Sequence, residues 1–494
     1  MNLVEAFSLS VSKAPQKTAV YWGDDEVSYL TLFAQANQLR KVLVEEYGVG
    51  KGDRVALWVK NSPEFISAMQ GVLWTGAVVV PVNCFLKPDE VRYILEDSGA
   101  KVVIIDETFA DPATKLKEEM EDLGVWNIAS FAKEPEPAIY GDAPCPAEES
   151  DLAALVYTSG TTGRPKGAML SHGNFLHNVE SCRVMLEVFD GDRFVLLLPM
   201  FHSFMLTVCN LLPLLIGGSV VLIRSVSPLK NALGEIIRNE ATILPAAPQI
   251  FRALLHDSVP RELPLRLCIS GSAPLPLETL NAFQEKFSFP LLEGYGLSES
   301  SPAACFNPLQ GPWVAGSIGV PIPNVELSIR HEEGGELPAG ETGEVCIRGG
   351  NVMQGYWQRP DETATAIRDG WLYTGDIGHK DENGYFYITD RKKDMLLVNG
   401  INVYPREIEE IIYQFNGIKE TAVVGMKDSR KGEMPVAFVV GNPEAKIDVS
   451  ALGVFLKEKL AAYKQPRKIV ELEALPRNAT GKILKTELRK QLEG

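Results

Sequence analysis

Leu32, Ala36, Leu39 and Leu43 recur at intervals of three and four, which predicts a helix, and Gly48-Val49-Gly50-Lys51-Gly52 closes it. A strand is expected over 54–59, then a helix from Ser62-Pro63 to about Trp74, where the serine caps and the proline fits the first turn. A continuous apolar strand from Ala77 to Val82, a short helix from Pro88 to Glu96 and a strand from Lys101 to Ile105 follow. This alternation argues for a layered α/β domain with a largely parallel sheet. Residues 107–150 turn polar and acidic and are expected to wrap the surface. Apolar runs at Phe194–Leu198, Ser219–Ile223 and Leu265–Ile269 then point to a second sheet. From about Val320 to Ile388 short segments alternate with turns such as Glu332-Glu333-Gly334-Gly335, which favours hairpins and a small β-barrel-like part over about 320–389. Past Asp390 comes a compact α+β unit: helix Pro405–Phe415, strands Thr421–Gly425 and Val436–Val440, helix Val449–Leu460 and a basic end. The expected fold is therefore α/β, with a large N-terminal domain over 1–389 and a small C-terminal domain over 390–494.

Composition supports this. At 494 residues, 45% hydrophobic and 23% charged, the chain suits a soluble globular protein of two or three domains. Phe194–Ile223 is long enough to cross a bilayer, but Pro199, His202, Asn210, Pro213 and Gly217-Gly218 divide it into strand, core helix and strand. Seven dispersed cysteines without a C-x-x-C pair indicate neither a disulfide framework nor a zinc site and fit a reducing cytoplasm. The N-terminus lacks the basic and apolar regions of a signal peptide. Residues 391–494 carry 19 Lys and Arg against 14 Asp and Glu, a net of +5, so the total of −16 leaves −21 on the rest. A basic cap closing over an anionic ligand accounts for this asymmetry, and the absence of a dense basic run argues against nucleic acid as the partner.

Tyr157-Thr158-Ser159-Gly160-Thr161-Thr162-Gly163-Arg164-Pro165-Lys166-Gly167 is the richest candidate for chemistry. Glycine admits backbone N–H groups to anionic oxygens, the hydroxyls add donors and the two cations add charge, so the stretch reads as a triphosphate cradle. The bland alternative is a surface turn. It is no ordinary P-loop, because Pro165 separates Arg164 from Lys166 and no hydroxyl follows the lysine. With Leu152–Val156 before it and Ala168-Met169-Leu170 after it, ahead of the helix signal Ser171-His172-Gly173-Asn174, the loop is expected at a hairpin tip.

Four further stretches could complete it. Gly294-Tyr295-Gly296-Leu297-Ser298-Glu299-Ser300 offers an aromatic face, a hydroxyl and a carboxylate; Tyr373-Thr374-Gly375-Asp376 a carboxylate suited to ribose; Asp390-Arg391-Lys392-Lys393 cations at the domain joint; and Pro476 to Lys482 a lysine on a glycine-flanked turn. Singly, Glu299 reads as an exposed acid, Asp376 as a turn former and Lys482 as a surface lysine. Together and in this order they resemble the adenylate-forming superfamily, in particular its acyl-CoA synthetase and fatty acid–CoA ligase branch. Asp369 to Asp376 and Gly384-Tyr385 through Asp394 carry the likeness to that branch.

The resemblance implies a two-step reaction: a carboxylate attacks the α-phosphorus of ATP and pyrophosphate leaves, then a thiol displaces AMP. It implies Lys482 as the catalytic lysine, with Glu299 and Thr158 as the Mg2+ ligands. Thr158, Ser159, Gly160, Thr161, Thr162, Gly163 and Lys166 would meet the β- and γ-phosphates, and Ser298, where the family often has threonine, the α-phosphate. Gly294, Tyr295 and Gly271-Ser272-Ala273 would line adenine, and Asp376 and Arg391 the ribose. Asp390 matches a hinge about which the small domain is mobile, bringing the Lys392–Tyr404 side, with Lys393 and Gly400, up for thiolysis. His202, in Pro199-Met200-Phe201-His202, matches a motif near the acid's carboxylate; as a lone histidine in an apolar run it would otherwise be a core residue.

No aspartate lies between Phe194 and Ile223 to hold an amino acid's ammonium, and Phe204-Met205-Leu206 and Ala246 to Phe251 are apolar. A hydrophobic acid, most simply a medium- or long-chain fatty acid, is expected. Only twelve residues follow Lys482, so free coenzyme A is favoured as acceptor. A ligase loading aryl or fatty acids onto a carrier protein and a non-catalytic nucleotide-binding protein are the alternatives. The sequence leaves room for a homodimer and for peripheral membrane contact.

Overall fold

The structure, a computed structural model, describes residues 1–133, 135–139, 141, 143–158, 164–398, 401–428, 432–442, 447–477 and 482–493. Two sheets dominate. One has six strands in the order Gly124–Asn127, Ala100–Ile105, Arg54–Trp58, Val78–Pro81, Leu152–Thr158 and Lys166–Ser171, parallel except for the last pair. The other has nine, in the order Val320–Pro321, Ala303–Phe306, Leu291–Gly296, Leu267–Ser270, Ile243–Ala246, Arg193–Leu196, Ser219–Leu222, Thr18–Trp22 and Asp25–Ser28. Its middle six strands are parallel.

The apolar runs are continuous because both faces of each strand are covered. Val55 and Leu57 face a core shared with helices Leu3–Lys13, Tyr29–Glu45 and Pro63–Trp74 and with Phe194 and Leu196 of the second sheet. Ala56 and Trp58 face a separate core under helices Pro88–Ser98 and Ala110–Glu119. Val195 and Val221 turn outward onto helices Leu229–Arg238, Pro248–Leu254 and Leu277–Lys286. The large part is thus five layers, with helices between and outside two sheets.

Three features differ from expectation. Residues 107–150 do more than wrap the surface: helix Ala110–Glu119 seats Ala113 and Leu116, one turn apart, and an edge strand seats Trp126. The first twenty-eight residues add a helix, capped by Asn2 with Glu5, and two strands of the second sheet. The core helix of the 194–223 run begins as a π-helix over Met205–Leu211, just ahead of Pro213, which has no N–H to continue a tighter ladder.

Strands Val325–Arg330, Gly343–Gly349, Trp371–Lys380, Ile367–Arg368 and Phe386–Arg391 pair antiparallel as expected. Their order is open among the described residues, so the barrel-like part is a half-barrel. The small part has a five-stranded sheet with helices Pro405–Tyr413 and Val449–Lys459 on one core. The unforeseen hairpin Leu396–Val398/Ile401–Val403 contributes to that sheet, and the basic end forms helix Lys485–Glu493, whose Leu488 closes a second core. Asp390 falls inside strand Phe386–Arg391 rather than in an open linker. No helix among the described residues is long and apolar enough to cross a membrane.

Asp192, fully buried, opens strand Arg193–Leu196 and accepts from Arg266 Nε at 2.7 Å and Nη2 at 2.6 Å, from Thr242 Oγ1 at 2.8 Å and from the Phe189 N–H at 3.0 Å. Removing it strands a guanidinium and a hydroxyl between adjacent strands. Asp192→Ala should cost about 3 kcal/mol, read as a lower urea midpoint; an unchanged midpoint would contradict this role.

Candidate active site

Strand Arg193–Leu196 runs into Pro199 to His202, strand Leu267–Ser270 into Gly271-Ser272-Ala273, and strand Leu291–Gly296 ends just before Ser298 and Glu299. Because these are parallel members of one sheet, their carboxyl ends meet on one side, where open α/β sheets bind ligands.

The phosphate stretch is a hairpin, as its flanks predicted: Leu152–Thr158 pairs antiparallel with Lys166–Ser171, with Thr158 opposite Lys166. Ser159, Gly160, Thr161, Thr162 and Gly163 lie outside the described residues, as does Gly400. The stem is fastened by Asp97, at the end of helix Pro88–Ser98. Its Oδ2 accepts from the Tyr157 hydroxyl at 2.7 Å, its Oδ1 from Arg359 at 2.6 Å, and its carbonyl from Trp357 Nε1 at 3.1 Å. Tyr93 donates to the Pro165 carbonyl at 3.1 Å and stacks under Arg164. Burial and Asp97 together push the Tyr157 hydroxyl well above its ordinary range, keeping it a donor.

Around the predicted nucleotide site, Asp376 is buried between two partners: the Tyr295 hydroxyl donates to Oδ2 at 2.6 Å, and Arg391 Nε lies 3.0 Å from Oδ1. The backbone pairs Asp376 directly with Arg391. Burial raises the Tyr295 hydroxyl far above its usual range, with Asp376 adding to it, and Asp376 holds the Arg391 guanidinium charged. Gly294 is needed for packing, since a Cβ there would lie 2.3 Å from the Phe306 ring. Ser272 has φ +68°, and the buried hydroxyls of Ser270 and Ser272 have no hydrogen-bond partner in the protein.

His202 lies half-buried in the turn before the π-helix, and its Nδ1 accepts the Phe204 N–H at 3.3 Å, which leaves the ring proton on Nε2. Burial, aided by the positive charge of Lys482, lowers the imidazole to about 4, so the ring is neutral at physiological pH. Lys482 keeps access to water yet stands in a cleft of protein; desolvation, then Arg391, Asp376, Lys393 and Asp394, set its ammonium at about 8. Burial also lowers Lys393. Ser298 Oγ is 3.0 Å from Ser203 Oγ, and Glu299 Oε1 accepts from the Tyr356 hydroxyl at 2.9 Å. Among the described residues no three His, Cys, Asp or Glu side chains converge on a metal position. Glu299 with phosphate oxygens and water is nevertheless the donor set Mg2+ ordinarily takes. Asp390 accepts from the Arg391 and Arg406 N–H groups at 2.7 and 2.9 Å, and burial raises it to about 6.

Residues 7–357 match the model of the AMP-binding enzyme and residues 407–482 that of the AMP-binding enzyme C-terminal domain. The chain belongs to the AMP-binding enzyme family. A long-chain-fatty-acid–CoA ligase of Bacillus subtilis is 36% identical over 97% of this chain and 92% of its own. A feruloyl-CoA synthase of an Amycolatopsis species is 34% identical over 97% of this chain and 96% of its own. ATP-bound MatB from Rhodopseudomonas palustris superposes with a TM-score of 0.92 at 33% identity, covering 99% of both chains; its apo form gives 0.79. This AMP-binding enzyme is thus an ATP-dependent acid–thiol ligase that forms an acyl-AMP and passes the acyl group to coenzyme A, with Mg2+.

Sequence reasoning missed Asp97, Tyr356 and Arg359 in this AMP-binding enzyme. Gly355-Tyr356-Trp357 was visible as an aromatic pair after glycine, but nothing local joins it to Glu299 or to Asp97, which is 262 residues from Arg359. Asp97→Asn keeps the shape but removes the anionic partner of Arg359. The KM for ATP should rise about three- to tenfold, as for a lost charged hydrogen bond, with the KM for the acid unchanged; steady-state kinetics with each substrate varied would check this.

Proposed function

We propose that the acid is a medium- or long-chain fatty acid and that the residues named above carry the roles expected of them. The reading is carried by one observation: Asp376 holds the Tyr295 hydroxyl at 2.6 Å and Arg391 at 3.0 Å, and Lys482, from the small part, is near enough for its charge to act both with that pair and on His202 of the large part. A carboxylate nearing a polyphosphate meets like-charge repulsion, so a cation between the two is what the first step requires. Lys482 is that cation, bridging the acid's carboxylate and the α-phosphate, while His202 Nε2–H orients the carboxylate. Ser298 meets the α-phosphate, Thr158 and Lys166 the outer phosphates, Tyr295 and Gly271 to Ala273 the adenine, and Asp376 and Arg391 the ribose. Glu299 and Thr158 would hold Mg2+, whose charge would offset that of the phosphates.

The small domain, 390–494, turns about Asp390, replacing Lys482 with the Lys392–Tyr404 side for thiolysis. The closer fit to the ATP-bound relative than to its apo form supports the orientation with Lys482 inward as the one described. The apolar surroundings of His202 support the choice of acid: Phe204, Met205 and Leu206 follow it in the chain, and the Phe204 ring lies over Gly271. The similarity to a feruloyl-CoA synthase favours an aryl acid as the second reading. Seven free cysteines support a reducing cytoplasm as the location.

With a graded series of straight-chain acids, kcat/KM should rise about three- to fourfold per methylene until the pocket is filled, following about 0.8 kcal/mol per buried CH2. A flat series, or preference for cinnamate-type acids, would overturn the fatty-acid reading. Lys482→Ala should slow acyl-AMP formation, followed by pyrophosphate exchange, by about 10²–10³-fold while leaving thiolysis of supplied acyl-AMP intact; equal loss of both would sink the division of labour. In the parent enzyme the ammonium is charged below about 8, so adenylation should fall as pH rises through that value, a limb the lysine should not impose on thiolysis.

A further inference from the structure

Tyr356 stands between two groups of opposite charge. Its hydroxyl donates to Glu299 Oε1 at 2.9 Å, and Lys166 Nζ lies 4.5 Å from the centroid of its ring. The backbone fixes where this ring can be. Residues 353–357 lie alongside strand Lys166–Ser171, with Ala168 opposite Tyr356, the Met169 N–H on the Gly355 carbonyl at 2.9 Å and the Trp357 N–H on the Gly167 carbonyl at 2.8 Å. The Met353 N–H donates to the Glu299 carbonyl at 2.9 Å, and the Tyr356 N–H to Thr363 Oγ1 at 2.8 Å. Gly355, at φ +136°, brings the chain so close to Thr363 that a Cβ would meet it at 2.6 Å. The phosphate hairpin and the Glu299 turn are therefore stitched to one short segment, and Tyr356 is its side chain in the site.

We propose that Tyr356 is a positioning residue that keeps Glu299 and Lys166 from pairing with each other, so that the carboxylate is held for the metal and the ammonium for the outer phosphates. A glutamate and a lysine held near one another tend to form a direct ion pair, and such a pair would occupy the groups that metal and phosphate must share. The tyrosine prevents this from both sides. Its hydroxyl engages one carboxylate oxygen and selects a rotamer. Its ring face holds the ammonium through a cation–π contact, weak enough to yield to a phosphate. The inference rests on the assignment of Glu299 to the metal and Lys166 to phosphate.

The test is calorimetric binding of ATP to the full chain, once with Mg2+ and once with EDTA. Tyr356→Phe keeps the ring and loses the donor: its metal-free affinity should stay within about twofold of the parent, while the tightening brought by Mg2+ should shrink about three- to tenfold, on the scale of a lost charged hydrogen bond. Tyr356→Leu also loses the ring, so its metal-free affinity should fall about threefold or more. An unchanged magnesium increment in Tyr356→Phe, or equal weakening with and without metal, would overturn the proposal. Glu299→Gln separates the two levels. If it keeps the full magnesium increment, the metal assignment fails and this inference with it; if it loses the increment while Tyr356→Phe keeps it, only this inference fails. Should Tyr356→Leu not fold, Tyr356→Phe and Glu299→Gln decide the matter between them.

Discussion

The buried carboxylate of Asp376 is where the parts of this molecule are tied together. Tyr295, on the nine-stranded sheet, donates to one oxygen, and Arg391, at the end of the half-barrel's last strand and the threshold of the small domain, pairs with the other. A carboxylate out of water must have both oxygens satisfied or it destabilises whatever encloses it. The nine-stranded sheet, the half-barrel and the first residues of the small domain therefore meet at one anion, which adds to the core and backbone contacts that already join the first two. The cleft that brings His202, Ser298 and Lys482 together depends on how they meet.

Charge is arranged to the same end. The large part is strongly acidic and the small part basic, yet the cleft between them gathers Arg391, Lys393 and Lys482. Desolvation first, and then neighbouring cations, lower the two lysines, while Asp376 and Asp394 oppose the shift.

Much of this was legible in the sequence because it is written locally. The inner strands of both sheets are covered on both faces, so they read as continuous apolar runs, and Ser62-Pro63 and Ser171 to Asn174 mark helix starts through contacts a few residues long. The hairpin under the phosphate stretch was visible in its flanks. What escaped has a shared physical cause. Helix Ala110–Glu119 buries only two side chains, too few to set a period in a polar stretch, and strand Thr18–Trp22 finds its neighbour about two hundred residues away. Asp97 and Tyr356 act through partners that are distant in the chain, so their own surroundings look like an ordinary helix end and a loop.

Arg391 is the residue immediately after Asp390, and Asp376 lies across the strand pair from it. The turn about Asp390 proposed above would therefore carry the guanidinium off the carboxylate. The ion pair is in this sense a detent, a spring-loaded notch. Under that proposal its strength would set the balance between orientations, each 1.4 kcal/mol shifting the population ratio tenfold. A pair that is too strong would stall turnover after the first chemical step, and one that is too weak would let the cleft open before it, so the energy of this contact is tuned by timing as much as by stability.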